Sequence, residues 1–424
     1  MRIAAIRALF SNRNYAIYVS GNIVSLTGTW IQNIAMGWLV WEMTRSPFWI
    51  GVISVAAVVP SVLAGLAGGV MADRLDRLRV TATMQILCFF LTFALFVLYE
   101  LGELNIALVI AFKVAISIVV AISQPARMAF IPTLVGREHM VAAVSFGSMV
   151  FNTARFVGPG IGAFLIAHGG LGLAFLVNSL SFLAMTLAIA MLRIDHGALN
   201  SRAAPTESSM WKDFGSGIVY LKRHRGVSTM FILAAVTVLC VRPISDFLPA
   251  IVDLVFGRGV EGMAMLTSSL AVGSFLGGLW AAGRDSRGLV ASALLASGAY
   301  AICILSFLLI GNFWAGCAIL ALAGFFTVAF MTAVQTLIQT SVADEVRGRV
   351  LSLWFIMSRT GPDVGAFGMG VIATVIGLKT GFAIGAALCV LASLWAWRQR
   401  AVLAPVLETV VLPSGASQAA QEIP

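Results

Sequence analysis

The chain has 424 residues, 60% of them hydrophobic and 11% charged, with a formal net charge of +9 and a mean hydropathy of +0.97. At about 20 apolar residues per crossing of a ~30 Å hydrocarbon core, this composition supplies roughly twelve membrane spans and leaves little for anything else. It excludes a soluble catalytic domain, a disordered or coiled-coil protein, and a transmembrane β-barrel with its short alternating segments.

Twelve apolar runs, punctuated by Gly, Pro and charge, fall at about 15–42, 47–72, 79–100, 104–126, 139–167, 171–193, 227–253, 262–283, 288–310, 314–340, 348–376 and 378–398. Unbroken runs of this length demand helices, because lipid offers no partner for an unpaired backbone N–H or C=O. The first run follows Arg2, Arg7 and Arg13 and is too long for a signal-peptide core, so it reads as a retained helix. With the N-terminus inside, twenty Lys and Arg fall on the inner side, among them Arg74, Arg77, Arg79, Arg127 and Arg137, against only Arg45, Arg258 and Lys379 outside. This bias predicts a multi-pass plasma (inner) membrane protein with both termini cytoplasmic. The basic excess is then an orientation signal, and no nucleic-acid partner is expected.

One long polar interval, 194–226, divides the runs six and six. It contains Pro205, Ser208 and Ser209, then an amphipathic piece from Trp211 to Arg225 that reads as an interfacial helix on the inner leaflet. The expected architecture is all-α, with twelve transmembrane helices in two pseudo-symmetric six-helix bundles. Residues 1–193 form the first bundle, 194–226 a cytoplasmic linker, 227–400 the second bundle and 401–424 a disordered cytoplasmic tail. The halves echo one another: Gly158-Pro159 and Gly162 after Arg155 in helix five match Gly361-Pro362 and Gly365 after Arg359 in helix eleven. Gly68-Gly69 of helix two likewise matches Gly277-Gly278 of helix eight, which precedes Arg284-Asp285-Ser286-Arg287. Duplicated halves are the usual build of a secondary transporter.

The chemistry-bearing residues are few. Cys88, Cys240, Cys303, Cys317 and Cys389 stand singly in apolar runs, and with four His and no paired spacing neither a metal site, a disulfide framework nor a cofactor is expected. No phosphate-binding loop is present, so ATP is not the direct energy source. The costly residues inside the runs are Lys113, Arg155, Arg242, Asp246, Arg359 and Asp363, each at about 2.5–3.5 kcal/mol of insertion penalty. Arg242 and Asp246 are four apart with Pro243 between them, and Arg359 and Asp363 are four apart around Gly361-Pro362. On an α-helix each pair shares a face, where the charges neutralise one another or one carboxylate serves function. Asp246 is the first candidate for a proton carrier, ahead of Asp363 and Lys113, whereas Asp253 reads as a solvated residue near the outer end of helix seven. Polar stripes at helical spacing, Asn22, Ser25, Thr29 and Gln32 in helix one and Thr332, Gln335, Thr336 and Gln339 in helix ten, serve either as substrate contacts or as interhelical hydrogen bonds. Four cations against two acids at the six positions favour an anionic or zwitterionic amphiphile as ligand.

The segment Gly68 to Arg79, GGVMADRLDRLR, resembles the loop 2-3 signature of the major facilitator superfamily. Gly69, Asp73, Arg74, Arg77 and Arg79 match in kind, while Asp76 replaces the second glycine. Gly158, Pro159 and Gly162 resemble the helix-five motif associated with antiporters, and Lys113 falls where the helix-four motif usually has arginine. The opening from Asn12 to Pro47, with DEVRGRVLS at 344–352, is similar to the branch containing enterobactin exporters and macrolide-efflux proteins. The resemblance implies a proton-coupled exporter of a small amphiphilic compound such as a drug or siderophore. Its partners would be that substrate, protons and the lipid bilayer, and it would work as a monomer by alternating access. It further implies a gate in which Asp73 pairs near Arg347 or Arg349, and a central cavity where Asn22, Ser25, Thr29, Gln32, Arg242, Gln335 and Gln339 meet the substrate. An importer or uniporter, and a non-transporting receptor or assembly factor, are the alternatives; an enzyme is not expected.

Overall fold

A computed structural model of the chain describes residues 9–136, 139–193, 210–284 and 288–408. Arg2, Arg7, Arg137, Arg202, Asp285, Arg287, the 194–209 part of the linker and the tail beyond 408 lie outside the described residues. Among those described, every regular element is helical. The crossings are α1 (Arg13–Thr44), α2 (Pro47–Ala56, continuing past Ala57 as Val58–Arg74), α3 (Arg77–Glu100) and α4 (Ile106–Val135). Met140–Ala190 follows, and Gly170, at φ 74°, breaks it into α5 (140–169) and α6 (171–190). After a linker helix, Met210–Arg223, come α7 (225–256, in several pieces), α8 (Val260–Ala282), α9 (Leu289–Leu309), α10 (Phe313–Ser341), α11 (Asp344–Ile376) and α12 (Leu378–Arg398).

The starts are set by side-chain caps. The Asn12, Asn105 and Asn312 carboxamides accept from the backbone N–H of Tyr15, Leu108 and Ala315, and open α1, α4 and α10. Asp76, the departure from the loop signature, accepts from the N–H groups of Leu78 (2.8 Å) and Arg79 (3.1 Å) and so caps α3. Nine segments are long and apolar enough to cross a membrane among the described residues. One of these, Ala142–Ala190, contains both α5 and α6, while α1 and α11, at 32 and 33 residues, span on length but carry the polar positions. Together they account for twelve crossings. Phe90 on α3, Phe275 and Leu279 on α8, and Leu388, Leu391 and Trp395 on α12 point outward as exposed large apolar side chains, the inverse of a water-soluble surface.

By contacts the chain forms two compact units, Met1–Pro205 with Asp246–Ser268, and Thr206–Ser245 with Ser269–Pro424. The division differs from the expected one at 194–226, because the part of α7 after Ser245 packs on α1, where Pro249 lies against Gly37. Two further readings change. Arg127, counted among the inner-loop cations, lies within α4, which runs nine residues past the expected end. The tail does not begin at 401: Arg400–Leu407 is helical, buries Leu403 and Leu407, and delivers Glu408 to the start of α9, where its carboxylate accepts from Gly288 and Val290 N–H at 2.9 Å each. The linker helix packs Gly217 against Arg349 and Leu353 of α11, so it lies on protein. Burial raises the Tyr220 phenol on that helix above its ordinary pKa.

The sequence repeat is realised as a packing repeat. A Cβ on Gly68 would stand 2.5 Å from the Ile122 carbonyl oxygen of α4, and one on Gly277 would collide with the Phe325 carbonyl of α10. Their neighbours Gly69 and Gly278 meet open space and a distant Val328 methyl. The close approach therefore belongs to the first glycine of each pair, although the loop signature points to the second. Gly68→Val and Gly277→Val should each lower the thermal midpoint of detergent-purified protein, at about 1–3 kcal/mol of overpacking. Gly69→Val should leave it within about 0.5 kcal/mol of wild type, and equal losses at Gly68 and Gly69 would contradict this packing.

Candidate functional site

In the first unit the polar stripe of α1 divides into two faces. Ser25 and Gln32 are buried, and their polar atoms are engaged within the bundle. Gln85 of α3 donates to the Ser25 hydroxyl at 3.5 Å, Thr92 of α3 donates to the Gln32 carbonyl oxygen at 3.3 Å, and Asn178 of α6 donates to that same oxygen. The Thr29 hydroxyl turns back to the Ser25 carbonyl. Gly21 and Gly28 let α6 approach this face, with Met185, Ala188 and Ser181 next to them.

The other face of α1 meets cations. Lys113 Nζ of α4 donates to Asn33 Oδ1 at 2.9 Å, and the Arg127 guanidinium of α4 donates to Asn22 Oδ1. The Arg155 guanidinium of α5 lies 5.6 Å from the centroid of the Trp30 ring, whose edge also meets Phe151. What permits this is the helix-five motif: a Cβ on Gly158 would sit 2.5 Å from Trp30 Cβ, and one on Gly162 would sit 3.0 Å from Ile31 Cα. Asn33 and the Arg127 pairing were not singled out from sequence. The signal available for Asn33 was its position eleven residues, three helical turns, after Asn22.

α7, of which the part up to Ser245 belongs to the second unit, is not a continuous α-helix. Arg225–Val236 is α-helical, Thr237–Val241 widens into a π-helical turn, and Arg242–Ser245 tightens into 3-10 geometry. A turn at 246–247 follows before Leu248–Phe256 resumes. The expectation that Arg242 and Asp246 share an α-helical face therefore fails: Pro243 lacks an N–H and its ring excludes the regular ladder. The Arg242 guanidinium donates to the Ser358 carbonyl of α11 at 3.0 Å. The widened turn is clasped by glycines, with Gly361 of α11 under Val238, Gly365 under the Leu239 backbone and Gly385 of α12 under the Cys240 carbonyl. Thr237 in the turn contacts Ser297 of α9 at 3.3 Å and the Cys389 thiol of α12 at 3.3 Å, and Ser393 donates to Ser297 at 3.2 Å. This knot of α7, α9 and α12 repeats that of α1, α3 and α6 in the other half.

The remaining candidates are placed as follows. Arg359 and Asp363 are one turn apart on α11, beside Pro362. Gln335 and Gln339 lie on the side of α10 opposite its buried residues Ala333, Val334, Leu337 and Ile338. In the gating motif Asp73 and Arg74 are exposed, and Arg79 is 3.8 Å from Asp76. Arg77 donates to the Ala72 carbonyl at 3.3 Å and the Ala129 carbonyl at 3.2 Å, tying α3 to the ends of α2 and α4. Asp253, read from sequence as solvated, instead accepts from Trp41 Nε1 at 3.1 Å and from the Arg45 guanidinium. Arg45 has a φ of 49°, a left-handed backbone unusual for a non-glycine residue, which closes α1 at its C-terminal end.

Residues 5–414 match the family described as transmembrane secretion effector, within the major facilitator class. The chain is 25% identical over 372 residues to the staphyloferrin A transporter of Staphylococcus aureus, covering 87% of this chain and 91% of that protein. It is 23% identical over 383 residues to macrolide efflux protein A of Streptococcus pyogenes, covering 89% and 93%. Among solved structures, a bacterial homologue of the human lysosomal transporter Spinster, in an inward-facing and occupied conformation, aligns with a TM-score of 0.67 at 16% identity, over 95% of this chain and 99% of that one.

Gln32→Leu should lower the thermal midpoint by the equivalent of about 1–3 kcal/mol, because it strands the buried Thr92 and Asn178 groups. An unchanged midpoint together with altered ligand selectivity would return Gln32 to the substrate contacts.

Proposed function

This chain belongs to the transmembrane secretion effector family of major facilitator transporters, and we propose that it exports a small amphiphilic compound, as a monomer, in exchange for protons. It is a secondary transporter embedded in the membrane, with a small-molecule substrate. What supports a site at α7 is the break at 237–247: irregular backbone at membrane depth is tolerated where it lines a cavity or is wrapped by protein, and discontinuous helices mark transporter binding sites. Arg242, Gln335 and Gln339 are assigned to the substrate, together with Asn22 of α1. Asp246, at the end of the break, carries the proton, with Asp363 and Lys113 as the other titratable positions. Ser25 and Gln32 are left out of the substrate contacts because their hydrogen bonds are made inside the bundle. Gly69, Asp73, Arg74, Arg77 and Arg79 form the cytoplasmic gate motif, and both termini are assigned to that side. Export is favoured over import by the relatives named for efflux and by the helix-five motif, Gly158, Pro159 and Gly162, with its counterpart at Gly361 and Pro362.

The test is reconstitution into liposomes with an acid interior and a trapped pH dye, followed by addition of macrolides, catecholate siderophores and cationic dyes. One or more of these should discharge the gradient in wild type, and Asp246→Asn should lose at least tenfold of that flux. Asp73→Asn should reduce flux while inserting normally. A folded protein on which no compound moves protons would end the antiport reading, and undiminished flux in Asp246→Asn would move the coupling role elsewhere.

A further inference from the structure

Where the linker helix runs into α7, a cavity of about 240 Å³ is lined by Arg223, His224 and Arg225 on one side and by Val402, Leu403 and Val406 of the Arg400–Leu407 helix on the other. All six residues belong to the second unit. The polar wall is held by its neighbours. His224 Nδ1 accepts from the Val227 N–H at 3.2 Å and the ring stacks on Tyr220 at 5.4 Å, so the proton of the neutral imidazole sits on Nε2, as a donor. The Arg225 guanidinium reaches Gln399 Oε1 at 3.4 Å, a neutral acceptor that orients it. The apolar wall is anchored from behind. Leu403 and Leu407 are buried in the core of the unit, and a Cβ on Gly226 would stand 3.0 Å from Leu407 Cγ, so the glycine lets this helix lie close to α7. Val402 and Val406, one turn apart, are 59% and 47% exposed at the mouth. They continue the exposed apolar residues Leu391, Leu394 and Trp395 of α12. Trp397, 4.2 Å beneath the Arg400 guanidinium, and Tyr220 beside His224 are residue types that gather where hydrocarbon meets headgroups.

We propose that this cavity binds an anionic phospholipid, with the phosphate between Arg223, His224 and Arg225 and the start of an acyl chain over Val402 and Val406. Sites that enclose a drug-sized molecule begin at about 300 Å³, so this one takes a head and leaves the body of its ligand outside. Guanidinium groups beside an N–H donor match phosphate oxygens, and the two exposed valines match hydrocarbon. A soluble phosphate ester shares the first requirement and has no use for the second. Bound there, the lipid joins the linker helix, the start of α7 and the extension of α12, and adds to what holds Arg400–Leu407 in place. Basic residues at the end of a crossing also serve orientation, which needs no pocket. Lys222, exposed beside Arg223 and outside the lining, separates the two roles. The site is distinct from the path of the transported compound and holds for either direction of transport.

The experiment titrates the purified full chain, in a neutral detergent, with phosphatidylglycerol, phosphatidylcholine or glycerol 3-phosphate and follows the thermal midpoint, which rises with any ligand that binds the folded state alone. Phosphatidylglycerol should raise it saturably. Phosphatidylcholine, which brings a trimethylammonium to the same arginines, should need about tenfold more, and glycerol 3-phosphate should give no shift at the concentration where the anionic lipid saturates. Arg223→Gln and Arg225→Gln should each raise the half-saturating concentration of phosphatidylglycerol about tenfold, the worth of one hydrogen bond to a charged group. Val406→Asn should weaken the lipid as well, whereas Lys222→Gln should leave it within about twofold of wild type, as a surface charge outside the pocket does. Both arginines are exposed, so their variants keep the fold, and the midpoint without lipid checks this. Equal response to the two lipids, or no response to either, would overturn the inference. An equal response to glycerol 3-phosphate would assign the cavity to a soluble phosphate ligand instead. A loss in Lys222→Gln as large as in the two arginine variants would reduce the effect to diffuse surface charge, and undiminished affinity in both arginine variants would remove the site.

Discussion

In a bilayer the lipid is as apolar as the side chains, so nothing equivalent to the hydrophobic effect pulls two helices together. What remains is direct backbone contact, available only where side chains are absent or small. Gly68 against Ile122, Gly277 against Phe325, Gly162 against Ile31 and Gly365 against Leu239 are such contacts, two in each half and equivalent under the repeat. Each pair fixes the spacing and depth of two helices. The polar residues are then placed by these approaches: Arg155 reaches Trp30 because Gly158 lets α5 lie on α1, and the α7 turn is held open because Gly361 and Gly365 lie beneath it.

A second constraint acts inside each half. Polar side chains in lipid must find one another, and both bundles answer with a buried knot at corresponding helices: Gln32, Thr92 and Asn178 in one, Thr237, Ser297, Cys389 and Ser393 in the other. The residue types differ while the helices they join are equivalent, as expected when satisfaction of polar groups is what the position requires. A knot of this kind fixes rotation about the helix axis, which glycine contact alone leaves loose. With α1 fixed, the Asn22, Trp30 and Asn33 side is the one left to meet α4 and α5.

Helix number and the gross positions of the crossings were legible from run length, because the bilayer enforces a length that sequence displays. The repeat was legible as glycine spacing. The function of individual glycines was not, since Gly68 and Gly69 are identical as letters and only the rotation of α2 decides which one meets α4. The polar stripe of α1 was equally ambiguous: Ser25 and Gln32 differ from Asn22 by which neighbour they face. For Arg242 and Asp246 the four-residue spacing assumed an α-helix, and Pro243 together with the widened turn before it changed the geometry. Arg127 looked like a loop residue because α4 continues past the end of its apolar run, and Glu408 lay in a segment whose composition hides a helix.

The charged residues at membrane depth also differ in what they can do during a cycle. Arginine stays protonated at any pH a cell reaches, so Arg127, Arg155, Arg242 and Arg359 can hold an anion or a carbonyl and cannot carry a proton. The Arg242 contact with the Ser358 carbonyl is of the holding kind. In the proposed antiport, proton movement falls to Asp246, Asp363 and Lys113, with Asp246 three residues after Pro243 and Asp363 directly after Pro362. A protein that exchanges an amphiphile for a proton needs both kinds of group, a fixed charge that binds and a titratable one that changes. If one residue did both, each protonation would alter substrate affinity directly and ligand and proton would compete at one point. With the roles on different residues, coupling passes through the helices that hold them, and α7 is interrupted between Arg242 and Asp246. That interruption lets the position of one change without a rigid rod imposing the same movement on the other.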